Sequence, residues 1–151
     1  MRKIICAFAV LALLLSGCSK YAEPDVSELM PSVLACSSID DFAYADDNTV
    51  GIIFDIDLSE VEEYSCSYSG KGGFADMVAI FKLYDEDNAQ KVSDMLLRYK
   101  DSRYNDFKGY APFEAEKVKN GKVLTYGRYV LFVVVGDIST AQETIEAAFK
   151  L

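Results

Sequence analysis

The stretch Leu131-Phe-Val-Val-Val135 constrains the fold more than any other part of the chain. A run of aromatic and β-branched residues reads as a strand, and a strand apolar on both faces has to be central in its sheet. Tyr129 to Val135 forms a hairpin with Lys122 to Tyr126 around Gly127-Arg128, a Gly-X pair suited to a type II′ turn. Met77 to Tyr84 supplies another strand. Met77, Ala79, Phe81 and Leu83 point to one face, and Val78, Ile80, Lys82 and Tyr84 to the other. Tyr64 to Tyr68 alternates aromatic or thiol residues with serines, which predicts a strand with one wet face.

Helical spacing appears in three places. Asp85-Glu86-Asp87 puts negative charge where a helix dipole favours it. The helix that follows should run to about Tyr104 and bury Ala89, Val92, Met95, Leu96 and Tyr99. Asp87–Lys91 and Asp94–Arg98 are spaced to pair on its outer face. Ser139-Thr-Ala-Gln142 has the form of a capping box for the last helix, with Ala141, Ile145, Ala148 and Phe149 on its buried side. Val26 to Cys36 is a short amphipathic helix that Pro31 should kink or restart.

Shorter segments fill the gaps. Asp57/Glu60 and Ser59/Glu62 are overlapping capping boxes, predicting a one- or two-turn helix that ends near Tyr64. Val50 to Ile56 fits strand or helix equally. Asp40 to Asn48 reads as a polar turn, and Ser69 to Gly73 and Phe107 to Pro112 as loops. Phe113 to Asn120 is a further short helix, stopped at Asn120-Gly121. The expected architecture is one α+β domain over residues 24–151. It has a mostly antiparallel four-stranded sheet with the two long helices packed on one face.

The chain opens differently. Arg2 and Lys3 precede an apolar run from Ile4 to Leu15, and Ser16 and Gly17 are small. The run has twelve residues, whereas a helix needs about twenty to span the hydrocarbon core. Leu15-Ser16-Gly17-Cys18 resembles the lipobox of bacterial lipoproteins. That resemblance implies a signal peptide over residues 1–17, cleavage between Gly17 and Cys18, and a diacylglycerol thioether on Cys18. Two acyl chains anchor stably, because burial contributes about 0.8 kcal/mol per CH₂ and a single chain holds only marginally. The alternative is an ordinary secretory signal that happens to contain a cysteine.

Taking the first 17 residues off the 151 leaves 134, one domain by size. Without Arg2 and Lys3, 13 basic residues face 24 acidic ones, a net charge of −11. Such a body suits neither nucleic acid nor an anionic lipid surface. Residues 18–23 read as lipidated end and short tether. Ser19 to Glu23 would reach at most roughly 18 Å, about two Debye lengths at physiological salt. The expected place of work is the extracytoplasmic face of the cell membrane, with the lipid on Cys18 as the membrane contact and an envelope protein or glycan as partner.

Cys36 and Cys66 remain once Cys6 and Cys18 are assigned to the N-terminal signal. Paired, they would close a loop of about thirty residues and stabilise by roughly 3–4 kcal/mol. Unpaired, they would act as small buried hydrophobes, which a domain of this size favours. Two cysteines and no histidine make no ordinary zinc site, and no cofactor or metal is expected.

The absence of histidine also removes the Ser-His-Asp triad and the Cys-His dyad. Ser69 and Lys71 allow a Ser-Lys arrangement on paper, but they sit in a Gly-rich loop that reads as solvated. Gly70-Lys71-Gly72-Gly73 lacks the spacing and the Ser or Thr of a phosphate loop. Asp46-x-Asn48 imitates the start of a calcium loop, yet its fifth position is Val50 and its twelfth is Asp57. Asp55/Asp57 and Glu62/Glu63 are carboxylate pairs of the kind a hydrolase uses, although Asp57 and Glu62 are explained as capping groups. Ten tyrosines without tryptophan suit packing better than a glycan-stacking face.

Leu58 to Tyr64, Ala75-Asp76-Met77-Val78-Ala79-Ile80-Phe81-Lys82, Tyr110-Ala111-Pro112 and Gly127-Arg128-Tyr129-Val130 follow one another in an order and spacing that resemble the lipoprotein family catalogued as domain of unknown function 4358. Members often carry a Glu after the Ala-Asp pair, where this chain has Met77. The resemblance implies an envelope lipoprotein of Gram-positive bacteria with an α/β domain, and it supplies no catalytic residues. The function expected is a non-catalytic binding or scaffolding module. A small carboxylate-dependent cell-wall hydrolase stands as the alternative, and a solute-binding receptor, which usually needs about twice this length, is a more distant one.

Overall fold

The computed structural model describes residues 21–151, so the signal segment 1–17, the Gly17–Cys18 junction and the lipidation position Cys18 lie outside the described residues. The elements run α1 (Val26–Leu34), β1 (Phe42–Tyr44), α2 (Asp47–Phe54), β2 (Val61–Ser69), β3 (Met77–Leu83), α3 (Ala89–Lys108), α4 (Pro112–Asn120), β4 (Lys122–Tyr126), β5 (Tyr129–Val134) and α5 (Ile138–Ala148). Single 3₁₀ turns stand at Leu58–Glu60 and Glu86–Asn88. Every strand pairing is antiparallel, in the order β1-β2-β3-β5-β4. No helix among the described residues is long and apolar enough to cross a membrane.

The sheet therefore has five strands, not the expected four. The extra one, β1, pairs Phe42, Ala43 and Tyr44 with Ser69, Tyr68 and Ser67. It is a three-residue edge strand held by backbone hydrogen bonds, and its neighbours Asp40, Asp41 and Asp46 gave the segment the look of a turn. Short, charge-flanked edges are a usual defence against edge-to-edge association.

The centre of the sheet explains the rest. On β3 and β5, Ala79, Phe81, Val130 and Phe132 face one core, while Val78, Ile80, Leu131 and Val133 face a second. All eight are buried, and each large apolar side chain contributes about 1.5–3 kcal/mol by leaving water. Two greasy faces require two covers. Helices α2, α3 and α4 close the first, through Val50, Phe54, Val92, Leu96, Phe107, Ala115 and Val118. Helices α1 and α5 close the second, through Val26, Leu29, Val33, Ala141 and Ile145. The two long helices thus lie on opposite faces, correcting the expectation of one. The double-sided apolarity of β5 demands this, since a face packed with Leu131 and Val133 cannot be left to solvent.

Local chemistry sets the ends of the elements. Asp25 accepts from the Ser27 and Glu28 N–H groups to start α1, which continues through Pro31 without a break. Within Val50 to Ile56, the part up to Phe54 resolves as helix because the Asp46 carboxylate accepts from the Thr49 N–H and opens α2 there. The capping boxes after Asp57 give one 3₁₀ turn and no more, and β2 begins at Val61, earlier than expected. Helix α5 is capped by Asp137, bonded to the Thr140 N–H, ahead of the Ser139 box. Helix α3 runs to Lys108, so Phe107 is buried helix and not loop. The β4–β5 turn has Gly127 at φ +56 while Arg128 stays at negative φ, the pattern of a type II′ turn. At Gly121, between α4 and β4, a Cβ would stand 2.7 Å from Val134 Cγ2 and 2.8 Å from the Val133 carbonyl, so only glycine lets that corner close.

Cys36 and Cys66 are both free thiols. Cys66 lies in the core under α3, and Cys36 packs against the core under α1 and α5, so the sheet stands between them. Burial pushes the Cys66 thiol up to about 12. In the native state Cys66 should resist alkylation while half-buried Cys36 reacts slowly. Unfolding in denaturant without reductant should expose both to iodoacetamide, read as one mass increment on the peptide of each; no increment on either would indicate a Cys36–Cys66 bridge.

Candidate functional site

Two clusters of charge organise this domain, one at each end of the sheet. The first stands at the β4–β5 turn and collects the first described residues. Tyr21 packs edge-on to Tyr126 with ring centroids 5.6 Å apart, and the Ala22 N–H donates to the Phe149 carbonyl at 3.3 Å. The Glu23 carboxylate takes the Arg128 guanidinium at 2.6 Å, and the Tyr129 hydroxyl donates to the Pro24 carbonyl at 3.0 Å. Asp25 then caps α1. Five successive residues are therefore fastened to one pole, so the expected tether of residues 18–23 loses Tyr21, Ala22 and Glu23 to the folded body.

Arg128 serves a second carboxylate, Glu62, which also pairs with Lys82 at 3.1 Å. A bulge makes this possible. Val61 faces Leu83 and Glu63 faces Lys82, which leaves Glu62 as the extra residue in β2, turned toward the two cations. The Lys82 hydrogen bond and then Arg128 hold the Glu62 carboxyl below its ordinary value, and the Arg128 hydrogen bond does the same for Glu23. The Glu23 bond and, after it, Glu62 raise Arg128 in return.

The second cluster lies at the opposite pole, where β2 passes into the Ser69–Gly73 loop. Asp76 is 1% exposed. Its carboxylate accepts from the Ser37 hydroxyl and from Lys117 Nζ, each at 2.5 Å. Lys117 also reaches Glu114 at 2.9 Å, and Glu114 accepts from the Ala75 N–H at 2.7 Å. Burial pulls the Lys117 ammonium down, but the two carboxylates outweigh it and its pKa is raised. The Ser67 hydroxyl, on the face of β2 expected to be wet, is buried too and donates to the Ala43 carbonyl. The group ties the α1–β1 connection, the start of β3 and α4 into one corner. It can fix a backbone; it holds no open position for a reacting atom.

The candidate carboxylates do not converge. Asp57 caps the 3₁₀ turn at the Ser59 N–H, Glu62 belongs to the Arg128 network, and Asp55 follows α2 on the other side of that turn. The Ser69 hydroxyl donates to the Lys71 carbonyl within its own loop, and Lys71 pairs with Asp41 at 3.6 Å in solvent. The Asp46-x-Asn48 run is occupied by the first turn of α2. Among the described residues no group of three or more His, Cys, Asp or Glu is arranged to hold a metal ion. The expected Asp87–Lys91 pair is replaced by Lys91 on Glu60 at 2.9 Å, and Asp94 accepts from Gln90 instead of meeting Arg98. Sequence reasoning missed both charge clusters. The signals present were Lys82 interrupting the Val78-x-Ile80 face and Asp76 at the mouth of an apolar strand.

Lys117→Met would strand the buried Asp76 carboxylate and should destabilise by about 3–5 kcal/mol in urea unfolding, while Asp76→Asn/Lys117→Met recovers most of the loss. Acid should act through a different set. Glu23, Asp25, Asp46, Asp57, Glu62 and Asp137 are all held below their ordinary values by hydrogen bonds. Their contribution is present above the unfolded values of 4.5 for Glu and 3.8 for Asp, and is lost as pH falls through the lower folded values. With no histidine, no side chain of ordinary pKa titrates between about pH 5 and 8. Tm should therefore be flat from about pH 8 to 5 and fall steeply below about pH 4.5; a step near pH 6.5 would contradict this.

No curated protein and no solved structure matches the chain. A family model described as "Domain of unknown function (DUF4358)" matches residues 37–135, from Ser37 of the Asp76 corner to the last residue of the apolar run that opens at Leu131. The matched span contains all five strands and the three helices of one face, and α1 and α5, which cover the other face, flank it. With about two-thirds of its length under that model, the chain belongs to the DUF4358 family.

Proposed function

We propose that this protein is a lipid-anchored lipoprotein of the extracytoplasmic membrane face, and that its domain is a non-catalytic binding or scaffolding module of the cell envelope. The observation that carries the reading is the fastening of residues 21–25 to the β4–β5 pole, directly after the Leu15-Ser16-Gly17-Cys18 tetrad. Three residue steps separate Cys18 from Tyr21, a span of at most about 11 Å. An acylated Cys18 would keep the Arg128 pole against the bilayer and aim the Asp76 pole outward.

The outward pole has the surface a partner would use. Phe113 is 88% exposed at the start of α4, Phe74 is 40% exposed beside the Ser69–Gly73 loop, and the Ala75–Glu114 bond between them makes that corner rigid. Aromatic side chains on a rigid support are the usual anchors of a protein interface. The partner is an envelope protein or a glycan; a domain with this excess of acidic residues repels nucleic acid.

Metabolic labelling with a fatty-acid probe should mark the wild type and not Cys18→Ala; label on the variant would overturn the anchor. Orientation is tested by fluorophores on Glu86→Cys and Phe113→Cys in vesicles carrying a lipid quencher. Strong quenching at position 86 and little at 113 is expected, and the reverse would overturn the arrangement. Photo-crosslinkers at positions 74 and 113 should trap an envelope component that the same probe at position 86 does not.

A further inference from the structure

A cleft of about 240 Å³ opens between α2 and α3, away from both charge clusters. Its floor is apolar, built from Ile53 and Phe54 at the end of α2 and Met95 and Tyr99 on α3. The Phe54 and Tyr99 rings meet edge-on at 4.8 Å, and both stand edge-on to Phe132 of the central strand, at 6.4 and 5.7 Å. The core therefore backs the floor, and the cleft cannot collapse cheaply. The α3 wall carries Arg98, and the α2 wall ends in Asp55.

The cations of the two charge clusters and the one beside the 3₁₀ turn at Leu58–Glu60 are paired: Lys82, Lys91, Lys117 and Arg128 each meet a carboxylate. Arg98 has no ion partner among the described residues, and neither has Asp55, although the two line one cleft. Asp55 also adopts φ +57, a left-handed conformation that glycine or asparagine normally supplies at a helix end. Side chains held in such conformations cluster at ligand sites. The Tyr99 hydroxyl makes no hydrogen bond to the described residues, and burial pushes its phenol up to about 12, so it stays a neutral donor.

We propose that this cleft binds a small zwitterion with an apolar side chain, a free amino acid of about leucine size. Its carboxylate would take the Arg98 guanidinium, its ammonium the Asp55 carboxylate, and its side chain the floor of Phe54 and Met95. An apolar acid would satisfy Arg98 but confront Asp55, and an apolar amine would do the opposite. Opposed single charges across an apolar floor select the molecule that carries both. The volume agrees, since it lies below the roughly 300–1,000 Å³ of pockets for drug-sized ligands. The site is independent of the anchor on Cys18, and its failure would leave the proposed orientation untouched.

The test is a calorimetric and NMR titration of the full chain in detergent micelles. L-leucine is compared with 3-methylbutylamine, which lacks the carboxylate, and 4-methylpentanoate, which lacks the ammonium. Leucine should bind saturably, with shifts confined to α2 and α3, and each analogue about tenfold or more weaker. Arg98→Met should make leucine and the amine bind alike, and Asp55→Asn should make leucine and the acid bind alike. Both positions are exposed, so an unchanged Tm will show that each variant is folded. No saturable leucine binding to the folded wild type, or undiminished binding to folded Arg98→Met, overturns the proposal.

Discussion

The pair β3–β5 lies at the centre of the sheet with apolar side chains on both faces, and most of the architecture answers that fact. Val78, Ile80, Leu131 and Val133 on one side and Ala79, Phe81, Val130 and Phe132 on the other leave no face for water. An antiparallel sheet with one wet side would have needed a single layer of helices. This one needs two, and the chain provides them in separate pieces. The cover for the first face lies within the span matched by the family model. The cover for the second comes from α1 before it and α5 after it. The flanking helices are thus part of the structural unit, since without them Leu131 and Val133 would lie in solvent.

At the two poles charge is arranged in pairs. At one pole the Glu62 bulge, Lys82 and Arg128 form a receptor for Glu23, and Tyr129 receives Pro24. The exposed members of this network contribute little to global stability, but they decide where the chain enters the domain. At the other pole Asp76 and Lys117 are removed from water, where an unpaired partner is costly. That corner joins the start of β3 to α4 and to the connection after α1. The poles therefore differ in kind: one holds an incoming segment, and the other rigidifies a surface that carries Phe74 and Phe113. Arg98 and Asp55, which line the α2–α3 cleft without an ion partner, belong to neither pole.

Much of the fold was legible residue by residue. The faces of β3, the β4–β5 turn, the buried stripe of α3 and the stop at Gly121 followed from periodicity and turn chemistry, which are local properties. What escaped was non-local. Phe42 to Tyr44 forms a strand because the backbone of β2 is there to pair with it, not because its side chains alternate. The Glu62 bulge is a register event between two strands, and no spacing within β2 announces it. Lys91 chose Glu60 over Asp87 because the 3₁₀ turn at Leu58–Glu60 brings that carboxylate beside α3. The Asp76 corner assembles residues 37, 76, 114 and 117, and only the last two are near one another in sequence.

The amino-acid sequence by itself determined the types of the longer elements, the centrality of β5, the acidic balance and the lack of histidine chemistry. These rest on side-chain polarity and on dihedral preferences that act within a few residues. The tertiary structure alone decided that the two long helices take opposite faces, that residues 21–25 belong to the body, and that Arg98 and Asp55 share a cleft. Those outcomes depend on which surfaces meet when both faces of one sheet must be dried at once, and that is settled by packing among elements distant along the chain.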